Sequence, residues 1–153
     1  MNKLIQLLAQ QGDTTDSEQW HKWYTTVRAK TAMEPHNVEL VEISADKIVL
    51  EMEITDNERQ PYGLLHGGMS MMLAETAASI HSSWGLDLSK EVPVGIELNG
   101  SHLHSAREGK VRAVATVIRR GKNLVHHNIE IIHVDTEKTL SVIRMTNWIR
   151  KIQ

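Results

Sequence analysis

The chain has 153 residues, enough for one domain with a real core, and 41% of them are hydrophobic. A net charge of −2 provides no basic field for nucleic acid or an anionic membrane, and no stretch approaches transmembrane length. Cysteine is absent, which removes disulfides, thiolate catalysis and cysteine metal sites. Residues 1–12 read as a short amphipathic helix. Their apolar patch is short, interrupted by Gln6 and followed by Gln10-Gln11, which makes a poor signal peptide, so a cytoplasmic protein is expected. Residues 13–17 carry capping chemistry, and Asp16 or Ser17 is expected to cap a helix from Glu18 to Lys30. Trp20, Trp23, Tyr24 and Val27 fall on one apolar stripe of it. Pro35 closes this region, so residues 1–34 read as a helical extension and 35–153 as the main domain.

Val38–Ser44 and Lys47–Ile54 alternate and read as a β-hairpin, and residues 55–63 read as a polar loop holding Pro61. Gly67 to Trp84 is predicted to be a helix, apolar on almost every side and stopped by Gly85. Four strands follow, at Val92–Ser105, Lys110–Arg120, Asn123–Val134 and Lys138–Arg150. Their short connections lead us to expect antiparallel neighbours in chain order. Ile129 and Ile131 lie on one face of their strand, with Ile132 and Val134 on the other. That two-sided apolarity implies a second cover, from another subunit or from the N-terminal helices. The sum is an α+β fold in which an antiparallel sheet wraps one long central helix.

One charge interrupts the central helix, Glu75. A carboxylate inside a protein is costly unless it is paired or functional, and such a setting suits it to proton transfer. Just ahead stands His66-Gly67-Gly68. Two glycines at a helix start let a ligand approach free N–H groups at the positive end of the helix dipole. Two readings stay open on the residues alone. Glu75 is either an ion-paired structural group beside an ordinary loop end, or half of a site that places an oxyanion two turns from a carboxylate.

The segment Gln60-Pro61-Tyr62-Gly63-Leu64-Leu65-His66-Gly67-Gly68, followed by Leu73-Ala74-Glu75-Thr76-Ala77-Ala78-Ser79, resembles the signature of hotdog-fold acyl-CoA thioesterases. It is most similar to the PaaI-like branch, which includes hydroxybenzoyl-CoA and dihydroxynaphthoyl-CoA thioesterases. The similarity runs from about residue 35 to 150. One departure is His104-Ser105, where the family often has Arg-Pro. The resemblance implies a hydrolase acting on acyl-CoA, with Glu75 as general base or nucleophile and the Gly67 N–H holding the oxyanion. It implies that Gln60 and His66 contact the thioester, and that Ser79 positions water or Glu75. Gly68, Met72 and His102 would line the substrate, and Arg119, Arg120 and Lys122 would meet the phosphates of coenzyme A, unless they form only a solvated hairpin tip. It further implies homodimers that pair into homotetramers, sites split between subunits, and no cofactor beyond the coenzyme A of the substrate.

No metal site is expected, because the histidines at 102, 104, 126, 127 and 133 sit in strands with no carboxylate at matching spacing. No nucleic-acid or membrane partner is expected either. Two alternatives remain beside hydrolysis. One is hydration or dehydration of an enoyl thioester, with His66 and Glu75 as acid and base. The other is a non-catalytic acyl-CoA-binding module. The acyl group, and the choice of coenzyme A or a carrier protein, are not legible.

Overall fold

The computed structural model describes residues 13–29 and 31–152. The helix expected over residues 1–12 lies outside the described residues. Helix α1 spans Ser17–Arg28. Asp16 caps it, its Oδ1 accepting from the Glu18 N–H at 2.9 Å and the Gln19 N–H at 3.4 Å. A helix of three turns is marginal by itself, so packing must hold it. Its buried stripe is Trp20, Trp23, Tyr24 and Val27, and the Tyr24 hydroxyl donates to the Val38 carbonyl at 3.1 Å. That bond seats α1 beside strand β1, Glu39–Ile43.

Strand β2 is Lys47–Glu53, helix α2 is Gly67–Ser82, and strands β3 to β6 are Glu91–His102, Lys110–Arg120, Leu124–His133 and Thr139–Lys151. All pairings are antiparallel and the six strands run in the order β1-β2-β4-β5-β6-β3. The expectation that neighbours in the chain are neighbours in the sheet fails at β3. This strand pairs with β6 at the far edge, not with β4. The reason is reach. Residues 103–109 extend to roughly 24 Å, whereas β3 and β4 are separated by three strand spacings, about 14 Å.

Helix α2 crosses the inner face of this sheet and touches β2 through β6. Leu73, Ala74, Ala77 and Ala78 are buried against a core that includes Leu50, Ala113, Ala115, Ile129 and Ile143. The alanines bring helix and sheet backbones close. The helix is not enclosed on all sides, however. Met69, Met71, Met72 and Ile80 are only half-buried in the single chain, and Glu75 is exposed. The sheet of one chain covers one side of α2 and leaves the other open.

The C-terminal end of α2 is closed by polar groups. The Arg120 guanidinium donates to the carbonyls of His81 at 3.1 Å and Ser82 at 3.3 Å, matching a cation to the negative end of the helix. Gly85 then turns the chain with φ of +78°. Beneath this end His81 and His127 are fully buried, with His81 Nδ1 2.9 Å from His127 Nε2 and His81 Nε2 2.8 Å from the Ser44 carbonyl. The His81 Nε2–H donates to that carbonyl, so its Nδ1 accepts from the His127 Nε2–H. Burial pushes His81 down to about 4 despite the Ser44 carbonyl. Burial, with the charges of His81 and Arg120 nearby, pushes His127 down to about 3.

Both rings fold as neutral groups, so the unfolded chain binds more protons than the native one between pH 6.5 and 4. Their contribution is complete above pH 6.5 and is lost as pH falls. Thermal melts from pH 7.5 to 4 should show stability dropping with a slope of up to about 1.4 kcal/mol per pH unit for each histidine. His127→Leu should make that slope shallower, and an unchanged slope would assign the acid sensitivity to other groups.

Candidate active site

The loop before α2 is held by a carboxylate whose burial was not legible in the sequence. Glu58 is 1% exposed. Its carboxylate accepts from the Thr55 hydroxyl at 2.5 Å and the Thr55 N–H at 2.9 Å, and lies 2.6 Å from His36 Nδ1. Burial alone raises its carboxyl, but the hydrogen bonds from Thr55 and His36 outweigh that and hold it below its ordinary value. The Glu58 carbonyl accepts the His66 N–H at 2.8 Å, which fixes where α2 begins. The buried carboxylate of this fold is therefore Glu58, and Glu75 is the exposed one. The Thr55-x-x-Glu58 spacing was the available signal.

Gln60 lies in a turn in which the Gly63 N–H donates to its carbonyl at 2.8 Å, while its own N–H donates to the Leu64 carbonyl at 2.8 Å. Its side-chain oxygen accepts from the Tyr62 N–H. Gly63 takes φ of +77°, and Arg107 reaches over to the Tyr62 carbonyl at 3.2 Å. His66 is the N-cap of α2, and its Nδ1 accepts from the Gly68 N–H at 2.8 Å. The neutral ring then carries its proton on Nε2, facing outward as a donor. The Gly67 N–H is left as a helix-end amide with no protein acceptor among the described residues. The His102 ring lies against Gly67, so close that a Cβ there would come 2.5 Å from His102 Nε2. His102 Nδ1 is in turn 2.8 Å from the Ser141 hydroxyl. His66, Gly67, Gly68 and His102 thus form one group.

Glu75 and Ser79 form a second group, farther along α2. A Cβ on Gly95 of β3 would lie 3.2 Å from Glu75 Oε1, so the glycine lets the carboxylate lie against the sheet. Ser79 Oγ accepts from Asn147 Nδ2 at 3.1 Å. Eight residues of α-helix rise about 12 Å, which separates Gly67 from Glu75 in one chain. Met72 is half-buried on the core and its carbonyl accepts the Thr76 hydroxyl at 2.7 Å. Arg119, Arg120 and Lys122 lie at the other end of α2 from Gly67. Arg120 is engaged by the helix carbonyls, while Arg119 and Lys122 are exposed. Among the described residues no three histidines or carboxylates converge as a metal site. None of their helices is long and apolar enough to cross a membrane.

The sequence profile of the Thioesterase superfamily matches residues 62–140. The chain belongs to the thioesterase superfamily. Over 114 residues, it is 39% identical to 1,4-dihydroxy-2-naphthoyl-CoA hydrolase of Listeria monocytogenes, covering 74% of this chain and 91% of that protein. The enzyme of the same name from Escherichia coli is 36% identical over 96 residues, covering 63% of this chain and 68% of that one. Among solved structures, thioesterase HI1161 of Haemophilus influenzae superposes with a TM-score of 0.80 at 31% identity, over 86% of this chain and 90% of that one. These likenesses bear out the reading of the signature segment and give the fold its name, hotdog.

The two carboxylates should separate cleanly on substitution. Glu58→Ala strands Thr55 and His36 and should lower stability by about 2–3 kcal/mol. Glu75→Ala should leave the denaturation midpoint nearly unchanged. Urea melts of the two variants measure this, and equal losses would contradict the burial difference.

Proposed function

We propose that this thioesterase-superfamily chain hydrolyses acyl-CoA thioesters at a site shared by two copies, with Glu75 from one and Gly67 from the other. The separation along α2 carries this reading. One carbonyl group must sit about 3 Å both from the water that Glu75 holds and from the oxyanion donor, so base and donor have to converge on it. The ~12 Å rise between Gly67 and Glu75 in a single chain is too long for that.

An open sheet edge supports the pairing. At one edge β1 is short and has α1 beside it. At the other edge β3 is 12 residues long, and its Ile96 is 56% exposed. A long, open, apolar edge strand is a template for another copy of itself. Pairing there would also cover the open side of α2. On the outer face, Val94, Trp148 and Leu124 stand in register across three strands and are all exposed. That row is the natural place for dimers to pair into a homotetramer.

In this reading Glu75 takes a proton from water as the water oxygen bonds to the thioester carbon. The carbonyl oxygen becomes an oxyanion and accepts from the Gly67 N–H of the second copy, with His66 Nε2–H and Gln60 beside it. Collapse breaks the carbon–sulfur bond, and the coenzyme A thiolate takes the proton from Glu75. Alternatively Glu75 attacks the carbonyl itself and expels the coenzyme A thiolate to leave a mixed anhydride; single turnover in oxygen-18 water would then label the protein where water opens that anhydride at the Glu75 carbon. The Staphylococcus aureus thioesterase has been solved with a glutamine and, separately, a glutamate changed to alanine, the same distance apart in sequence as Gln60 and Glu75. The names of the Listeria and Escherichia relatives make an aromatic acyl group the first substrate class to try. Met72 would form a wall of its pocket, and exposed Arg119 and Lys122 would suit coenzyme A phosphates.

Free-thiol release from benzoyl, hydroxybenzoyl, phenylacetyl and hexanoyl-CoA should be lost by roughly 10²–10⁴-fold in Glu75→Gln. Mixing Glu75→Gln with Gly67→Ala copies should restore about a quarter of the sites, because half of random pairs carry one intact site in two. Activity retained in Glu75→Gln, or no recovery on mixing, would sink the shared site.

A further inference from the structure

Asn147 sits on the inner face of β6 and is fully buried, in a run whose other inward residues are Ile143, Met145 and Ile149. Its Nδ2 donates to Ser79 Oγ at 3.1 Å, and its Oδ1 has no partner among the described residues. An unpaired buried amide oxygen costs stability, and a leucine has the same branched outline, with bulkier ends, without that cost. Stability therefore does not account for an asparagine here.

Its surroundings do. Ser79 lies one helical turn after Glu75, on the same face. A serine in mid-helix ordinarily turns its hydroxyl back to the carbonyl one turn earlier. Donation from Asn147 instead occupies a lone pair of Ser79 Oγ and holds the side chain toward the sheet. The hydroxyl proton is then the group left to donate. Directly across the ladder from Asn147 is Gly95. A Cβ there would lie 2.7 Å from Met145 Cε, 3.2 Å from Glu75 Oε1 and 4.0 Å from Asn147 Nδ2. The glycine keeps open a notch that the catalytic carboxylate and the asparagine both border.

We infer that Asn147 is a positioning residue of the hydrolytic site, fixing the Ser79 hydroxyl as the donor that orients water beside Glu75. This rests on the proposed role of Glu75, and it gives the reaction a part from β6 that does not touch the substrate.

The test is a double-mutant cycle read by thiol release from benzoyl-CoA, on wild type, Asn147→Leu, Ser79→Ala, the double variant and Glu75→Gln. Asn147→Leu should lower kcat about tenfold, as expected for a misplaced reacting group, and keep its melting temperature. KM should stay within about twofold, and in the Ser79→Ala background the same change should cost less than about twofold, because the two residues act as one. Unchanged kcat in Asn147→Leu, or an equal loss in both backgrounds, would overturn the inference while leaving Glu75 in place. Turnover retained in Glu75→Gln would overturn the site reading and this inference with it. Should Asn147→Leu fail to fold, Asn147→Ser enters the same cycle with the same expected losses. If neither folds, Asn147 is structural and the inference fails.

Discussion

The seat of α2 on the sheet governs the rest of the molecule. Ala74, Ala77 and Ala78 let the helix backbone approach β2, β4, β5 and β6, and the small Ala113 and Ala115 meet it from below. Burial of this kind is worth roughly 25 cal/mol per Å² and depends on close packing more than on any single side chain. A larger residue at one of these alanines would lift the helix. Both ends of α2 carry groups that work only at their present height, so the packing sets the geometry of the site as well as the stability of the fold.

Those two ends are treated oppositely. At the C-terminus Arg120 occupies the free carbonyls, and two neutral histidines are packed beneath. At the N-terminus His66 satisfies the Gly68 amide and the chain leaves the one before it, that of Gly67, free, with Gly67 pressed against His102. A closed end needs only stability. An open end keeps a donor and a partial positive charge exposed to whatever enters. Glu58 holds the open end in place from behind, through the backbone of His66 and the side chains of Thr55 and His36.

Features set by local chemistry were legible in the sequence. Asp16 as a cap, the Trp20 to Val27 stripe, the bounds of β4 and the glycine start of α2 each follow from spacing over a few residues. Features set by distant partners were not. The burial of Glu58 depends on His36, 22 positions away, and the role of Arg120 depends on carbonyls 38 and 39 positions away. The place of β3 depends on β6, and nothing in a short connecting loop reveals a non-local pairing. Glu75 was read as enclosed because the helix is apolar on nearly all sides, but one chain encloses only part of it. Asn147 announced itself only as a polar residue where the alternation of β6 calls for an apolar one.

The strand order has a consequence for how the chain is made. Synthesis delivers β3 to solvent well before β6, its only ladder partner among the described residues, and β1, β2, β4 and β5 can assemble under α2 in the meantime. Until Thr139 and the residues after it emerge, β3 is a tethered strand with two open edges. Long-range pairings of this kind close late and leave strands exposed to misassembly while they wait. Strand β6 is therefore the segment that locks this edge of the sheet, and its removal would cost β3 its place as well.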